Sequence, residues 1–175
     1  SVFFSLNPRT NIATVAELRE VLGKNLDKAI KQLDEFAVGD PLTAAELQMV
    51  LAQSLYELGR YPQAVTLMEK VVEIRSKELG EKDELTLKSL GVLAQSYHSN
   101  YQHVEAGPIY KMLYETAKAK FGEDDLRTLD RAHDLAAWYI DTGDSKRAIP
   151  LFEDTLKRRK AKLGEKDPAT LATMN

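Results

Sequence analysis

The 175-residue chain is long enough for one ordinary domain, and it has 29% charged residues with a formal net charge of −3. That balance lacks the basic excess that favours nucleic acid. The absence of cysteine excludes disulfides and thiolate metal sites, and no apolar run reaches the roughly 18 residues of a membrane span. We therefore expect no nucleic-acid partner and no membrane span in this stretch. The lack of cysteine leaves the redox compartment undetermined, and a cytoplasmic location is a separate expectation.

Residues 1–40 predict a leader followed by one long helix. From residue 14 to residue 36 the apolar positions recur at spacings of three and four, and the stripe stays in phase across Gly23. Thr14 is the expected N-cap of this helix. The apolar residues before it, which we expect to pack back onto the helix, are Phe3, Phe4 and Leu6.

Beyond residue 40, short sequences return at a fixed interval. Leu51-Ala52-Gln53-Ser54 is followed by Leu93-Ala94-Gln95-Ser96 and Leu135-Ala136-Ala137-Trp138, with offsets of 93 − 51 = 42 and 135 − 93 = 42. A fixed period in the range of roughly 20–50 residues indicates stacked copies of one supersecondary unit. The predicted units after the leader are repeats over 41–82, 83–124 and 125–166 and the start of a fourth over 167–175.

Each repeat predicts a pair of helices, A and B, separated by a short turn. The expected A helices run from about 43 to 58, 83 to 100 and 125 to 142, and the expected B helices from about 61 to 79, 104 to 121 and 146 to 163. Acidic residues before each A helix suit N-caps. We expect a looser A–B turn in the second repeat, where Tyr101 replaces glycine. The chain starts without Met and stops at Asn175 inside a repeat, so we expect it to be part of a longer protein.

Alanines mark the predicted contact between the two helices of each pair. They recur at Ala52, Ala94 and Ala136 on helix A and at Ala64, Ala106 and Ala148 on helix B. Small residues facing each other allow helix axes to approach to about 8–10 Å, while larger neighbours fill the sides.

This pattern resembles the tetratricopeptide repeat (TPR). In the first repeat the matching residues are Leu51-Ala52, Leu55, Gly59, Tyr61, Ala64 and Met68. The 42-residue spacing resembles the extended variety of kinesin light chains, and the Gly-x-Tyr-x-x-Ala element is not expected in HEAT-type repeats of similar period. The resemblance implies an all-α fold, a right-handed superhelical α-solenoid of stacked antiparallel helix pairs.

Two departures and one further resemblance bear on function. The paired Asn that usually precede Leu-Ala in the kinesin-like variety are missing, and no Lys/Asn/Arg clamp for a chaperone tail is present at positions such as Gln53 and Gln95. The segment that leads into such repeats in bacterial serine/threonine protein kinases looks like a pattern found here in Leu6-Asn7-Pro8, residues 14–18, Ala29, Leu33 and Asp40-Pro41. That likeness implies an interaction region of a kinase whose catalytic domain lies outside this stretch.

No set of residues predicts catalysis, a cofactor or a metal. The three histidines lack ligand spacing, and no glycine-rich stretch follows a strand. Acidic linkers such as Asp124-Asp125 could bind calcium, but helix capping explains them more simply. The basic run Lys157-Arg158-Arg159-Lys160 is interpreted as a solvated helix face, with an anionic docking patch as the alternative. We expect a non-enzymatic chain, with an enzyme of unrecognised site as the least favoured hypothesis.

The resemblance places the partner-binding surface on helix A, which lines the concave groove of such solenoids. The expected groove residues are Glu46, Met49, Gln53, Tyr56, Glu57, Lys88, Gly91, Gln95, His98, Ser99, Asp130, His133, Ala137, Ile140 and Asp141. The favoured hypothesis is a protein-interaction scaffold for a peptide or partner helix, and the alternative is the regulatory region of a kinase. The final segment, with Leu171 and Met174, is expected to fray or to associate with another copy.

Overall fold

The computed structural model describes residues 15–36 and 39–174, and every regular element in these ranges is a helix. The helices are α1 (Val15–Phe36), α2 (Pro41–Glu57), α3 (Tyr61–Leu79), α4 (Glu84–Ser99), α5 (His103–Phe121), α6 (Leu126–Asp141), α7 (Ser145–Leu163) and α8 (Pro168–Met174). The predicted helix pairs and the all-α class are confirmed. The leader residues Phe3, Phe4, Leu6 and Thr14 lie outside the described residues.

The A helices begin at acidic caps, as the sequence predicts. The Asp40 carboxylate accepts the Thr43 N–H at 3.1 Å and the Thr43 hydroxyl at 2.6 Å, so α2 begins at Pro41, two residues before its predicted start. Proline suits this first helical position because its missing N–H would have no intrahelical partner there. The equivalent caps bind the second N–H after them: Asp83 to Leu85 at 2.8 Å, Asp125 to Arg127 at 2.9 Å and Asp167 to Ala169 at 2.9 Å.

The chain forms two compact units, residues 1–89 and 90–175, and the division falls within α4. In the first unit α2 packs against both α1 and α3. In the second unit α6 packs against both α5 and α7, and α8 packs against α7. Helix A is thus the central element of each unit.

The predicted alanine contacts are confirmed as buried positions. In the first unit Ala52 and Ala64 are buried with Leu55 and Met68. In the second unit one core cluster contains Ala94, Ala106, Tyr110, Leu135, Tyr139 and Ala148. Because these residues fix which side of each A helix faces inward, they also fix which side is left for partners.

Helix α1 runs unbroken through Gly23, as predicted, and the structure gives a reason for the glycine. A Cβ at Gly23 would lie 2.1 Å from Cζ of Arg60. Arg60 crosses this point to reach Asp27, with 3.1 Å between Nη1 and Oδ2. Glycine therefore leaves room for an ion pair that ties α3 to α1.

The expectation of a looser turn at Tyr101 is wrong. Tyr101 has a φ of 60°, close to the values of 77° at Gly59 and 80° at Gly143, the equivalent turn residues. Its N–H donates to His98 O at 3.0 Å, as the Gly59 N–H donates to Tyr56 O at 2.9 Å. The turn keeps its shape because the helices on either side determine it, and Tyr101 takes a backbone conformation that favours glycine.

The final segment is helical over Pro168–Met174, and its fraying stays a prediction. Thr170 and Thr173 are buried, while Leu171 and Met174 are exposed. The association of this end with another copy stays a prediction.

Candidate partner-binding faces

The predicted groove residues of the first unit lie on one side of α2 and near the start of α4. Glu46, Gln53 and Lys88 are exposed, whereas Met49 and Tyr56 are half-buried. The ring of Tyr56 contacts that of Tyr61, with centroids 5.2 Å apart, which contributes to its partial burial. We define the outer face of α2 as Glu46, Met49, Gln53, Tyr56 and Glu57.

In the second unit the structure brings two predicted residues together at the ends of α4 and α6. His98 Nε2 lies 2.8 Å from Asp141 Oδ2. The His98 ring also contacts the rings of His103 and Tyr110, at centroid distances of 5.3 and 6.0 Å. Gln95, nearer the middle of α4, is exposed. His98 is thus a packed side chain held by an acid, and Asp141 is the more accessible partner of the pair.

The remaining predicted residues of the second unit form the outer face of α6, which we define as Asp130, His133, Ala137, Ile140 and Asp141. Ile140 is 44% exposed, although it is a large apolar residue. The Asp130 carboxylate accepts from Arg159 Nη2 at 2.6 Å. This face therefore presents an acid already paired with an arginine and a large apolar side chain that is partly exposed.

His133 is half-buried and lies against α7. Its ring contacts Phe152 at a centroid distance of 5.3 Å, and its Nδ1 is buried without a hydrogen-bond partner in the described structure. Burial lowers the pKa of His133, and the positive charge of Arg159 lowers it further. The adjacent Asp134 is half-buried, and burial raises its pKa against the opposing effect of Arg131. The lowered pKa favours the neutral form of His133, and its ring packs against Phe152.

Two buried arginines were missed by the sequence interpretation. Arg75, 5% exposed, donates from Nη1 to Ser89 Oγ at 2.7 Å and to Leu85 O at 3.3 Å. Arg159, 4% exposed, donates from Nη1 to Thr173 Oγ1 at 2.7 Å and to Ala169 O at 2.8 Å.

The solvated-face interpretation of the basic run 157–160 is therefore wrong for Arg159, which enters the interface with α8. It is incomplete for Arg158, whose guanidinium binds Asp124 at 2.6 Å and Asp154 at 2.7 Å. One sequence signal was available: 159 − 75 = 84, which is two repeat periods, and each arginine is followed 14 residues later by a hydroxyl residue.

The acidic linkers act as caps and ion-pair partners. Side-chain and backbone hydrogen bonds from Arg127 lower the pKa of Asp125 to about 2. Within the described ranges, no group of three or more acidic or histidine side chains could hold a metal ion. None of the helices in those ranges combines the length and apolarity that crossing a membrane requires.

Two stretches of the chain, residues 43–102 and 128–169, match the family described as tetratricopeptide repeat, and together they span more than half of the 175 residues. No curated protein matches the sequence. Among solved structures, the chain is similar to nearly identical TPR-like repeats from a Podosopora anserina protein assigned as a kinesin light chain. The identity is 26% and the TM-score 0.69, over 75% of this chain and 63% of that one.

A variant of the Podosopora anserina protein gives a TM-score of 0.70 at 24% identity, over 90% of this chain and 78% of that one. BtubC (BKLC) from P. vanneervenii gives a TM-score of 0.64 at 18% identity, over 87% of this chain and 61% of that one, which shows a common fold alone. The chain thus spans less than two thirds of two of these proteins. The chain belongs to the tetratricopeptide repeat family, and its structural neighbours are TPR proteins of the kinesin-light-chain type.

Proposed function

We propose that this chain is a protein-interaction scaffold for an extended peptide or a partner helix, with the outer face of α2 in the first unit and the outer face of α6 in the second as separate candidate contact surfaces. TPR repeats generally mediate contacts between proteins, and the chain carries two matched stretches of them. Stacked helix pairs of this family bind through surfaces built from successive repeats. Side chains on one helix face can then select a partner through a few apolar or charged anchors.

The main support for the proposal is that one side of α6 is buried while the opposite side is exposed. Leu129, Ala132 and Ala136 are buried on its inner side. Its outer side keeps Asp130 and Ile140 exposed. Ile140 is the large apolar residue exposed on this face, so it is the side chain that we propose as the anchor for a partner. TPR folds of this type are typically non-catalytic, which agrees with a binding role and leaves the non-enzymatic prediction for this chain in place.

The kinase-associated role stays a prediction. Of the residues behind this likeness, 6–8 and 14 lie outside the described residues, 15–18 with Ala29 and Leu33 belong to α1, and Asp40 caps α2, which begins at Pro41.

A peptide array tests the binding role. The purified chain is applied to an array of random 15-residue peptides, and positive peptides are titrated by fluorescence anisotropy against the wild type and two variants. Ile140→Asp places a charge on the outer face of α6. Ile149→Asp is the matched control, because Ile149 is 51% exposed and belongs to α7 rather than α6.

We expect Ile140→Asp to weaken binding by about tenfold or more, as for loss of an anchor worth more than about 1.4 kcal/mol. Ile149→Asp should leave the affinity unchanged. The proposal fails if no peptide binds the wild type, or if both variants weaken binding equally.

A further inference from the structure

A second surface lies on the other side of the second unit, in a cleft between the two B helices α5 and α7. Its volume is about 550 Å³, and it is open to solvent. Leu135 and Tyr139 of α6 form its floor, and Tyr114 and Leu151 line its walls. An open, apolar cleft of this kind would not enclose a small molecule, which a typical ligand pocket buries by 70–90% or more. It suits a segment of protein lying along it.

Two cations define one end of the cleft. Lys111 Nζ lies 6.0 Å from the centre of the Tyr139 ring and 5.6 Å from that of Trp138. The Arg147 guanidinium lies 4.4 Å from the centre of the Tyr139 ring. Arg147 also pairs with Asp144, whereas Lys111 has no carboxylate partner among the described residues. This end therefore keeps a net positive charge.

Two carboxylates define the other end, near Tyr114. Burial raises the pKa of Tyr114, and the carboxylates of Glu115 and Asp154 raise it further against the opposing charge of Lys118. Lys118 pairs with Glu123, and Asp154 accepts from Arg158 at 2.7 Å. Glu115 forms no ion pair with any described residue, so this end keeps a negative charge.

The two ends are one to two helical turns apart. Lys111 and Glu115 are four residues apart on α5, and Arg147 and Asp154 are seven residues apart on α7. At about 1.5 Å per residue, these spacings correspond to roughly 6 and 10 Å along the helices.

We infer that the cleft between α5 and α7 is a docking site for an amphipathic helix of a partner protein. Such a helix would place an apolar stripe on Leu135 and Tyr139, an acidic side chain beside Lys111 and Arg147, and a basic one beside Glu115 and Asp154. The complementary charges at both ends select a bipolar helix over a uniformly acidic or basic one. This site is independent of the outer face of α6, and Ile140→Asp leaves it unchanged.

Three synthetic helical peptides of 18 residues test the inference. All carry the same apolar stripe. The bipolar peptide has one lysine and one glutamate seven residues apart beside that stripe, while the other two have two lysines or two glutamates at the same places. Each fluorescent peptide is titrated at low salt against the wild-type chain, Lys111→Glu and Lys146→Glu. Lys146 is exposed at the start of α7 and does not line the cleft, so it gives the same charge change elsewhere.

The wild type should prefer the bipolar peptide by about fivefold, because each alternative exchanges an attractive pair for a repulsive one. Lys111→Glu should shift the preference to the two-lysine peptide, and Lys146→Glu should keep the wild-type order. The inference is overturned if the wild type binds none of the peptides or all three equally, or if the two variants behave alike. Circular dichroism confirms that each variant is folded before the titration.

Discussion

Arg75 in the first unit and Arg159 in the second occupy equivalent repeat positions but satisfy their charge differently. Both donate to a main-chain carbonyl and a hydroxyl of the following A helix. Arg159 also pairs with Asp130 at 2.6 Å, whereas Arg75 completes its contacts with Met49 Sδ at 3.3 Å. At this interhelical position one arginine is paired with a carboxylate, while the other has neutral partners among the described residues.

In the second repeat the arginine lies on the following A helix, and the small residue lies on helix B. The residue equivalent to Arg75 is Ala117, since 75 + 42 = 117, and the one equivalent to Ser89 is Arg131, since 89 + 42 = 131. Arg131 Nη1 would lie 3.1 Å from a Cβ at Gly91, the position equivalent to Met49. A guanidinium therefore lies near this repeat position in all three copies, whether helix B or the next helix A supplies it. Each repeat therefore keeps a polar slot, by which we mean a site between helix B and the next helix A that holds a guanidinium group. The residue that supplies this group differs between repeats.

The largest expected effect comes from removing the two buried arginines. Arg159→Met should lower the free energy of unfolding by about 2–3 kcal/mol, because several hydrogen bonds to a charged group are lost at a buried position. Arg75→Met should cost only about 1 kcal/mol, because no carboxylate loses its partner. Urea unfolding followed by circular dichroism measures both. An equal or larger loss for Arg75→Met would contradict the distinction between the two sites.

The next largest effect concerns glycines of the second unit whose missing Cβ leaves space for a large neighbouring side chain. Gly107→Ala should destabilise the chain by about 1–3 kcal/mol, since its Cβ would lie 2.3 Å from Cζ2 of Trp138. The indole cannot easily withdraw, because its Nε1 donates to His103 O at 3.1 Å. Gly91→Ala is the control: it meets only the mobile end of Arg131 and gains about 1 kcal/mol in helix propensity. Thermal unfolding should separate the two, and equal melting temperatures would show that the Trp138 contact is unimportant.

A smaller effect is expected at the A–B turns. Tyr101→Gly should stabilise the chain by about 0.5–1 kcal/mol, because relief of the left-handed backbone outweighs the greater freedom of glycine in the unfolded chain. The reverse change at the equivalent turn, Gly143→Tyr, should destabilise by a similar amount. If Tyr101→Gly destabilises instead, then Tyr101, which is 85% exposed, makes a stabilising contact that the turn geometry does not show.

The smallest effect is a pH dependence at the cap of α6. The pKa of Asp125 is lowered to about 2 by Arg127, so its stabilisation is fully present above the unfolded pKa near 4 and is lost as the pH falls towards 2. Asp125→Ala should therefore destabilise the chain at pH 7 and cost progressively less from about pH 5 down to pH 2. Urea midpoints across this range measure the difference. A constant difference at all pH values would mean that the carboxylate charge does not contribute.

The sequence alone predicted the helix pairs, their caps and the alanine contacts, because each follows from local spacing and a period of 42. It did not predict that Arg159 is buried, since the run 157–160 has the composition of a solvated face and the partners of Arg159 lie on α6 and α8. The match between Gly107 and Trp138 was equally invisible, because it joins two repeats at positions that differ from copy to copy.

The candidate faces were predicted only in part. Spacing placed Asp130, His133 and Ile140 on α6, but it could not show that Asp130 is held by Arg159 or that His133 packs on Phe152. The cleft between α5 and α7 was not predicted at all. Its charges come from two helices that are not adjacent in the chain, and no repeat of Lys111 or Arg147 marks them.

A double-mutant cycle at positions 117 and 131 tests most directly whether both positions can place an arginine in the same polar slot of the second repeat. Ala117→Arg alone should destabilise the chain, because two guanidinium groups would then compete for the space beside Gly91. Combining it with Arg131→Ser reproduces the arrangement of Arg75 and Ser89 and should restore most of the lost unfolding free energy. If the two changes are simply additive in urea unfolding, the slot is not shared and the equivalence of the repeats is wrong.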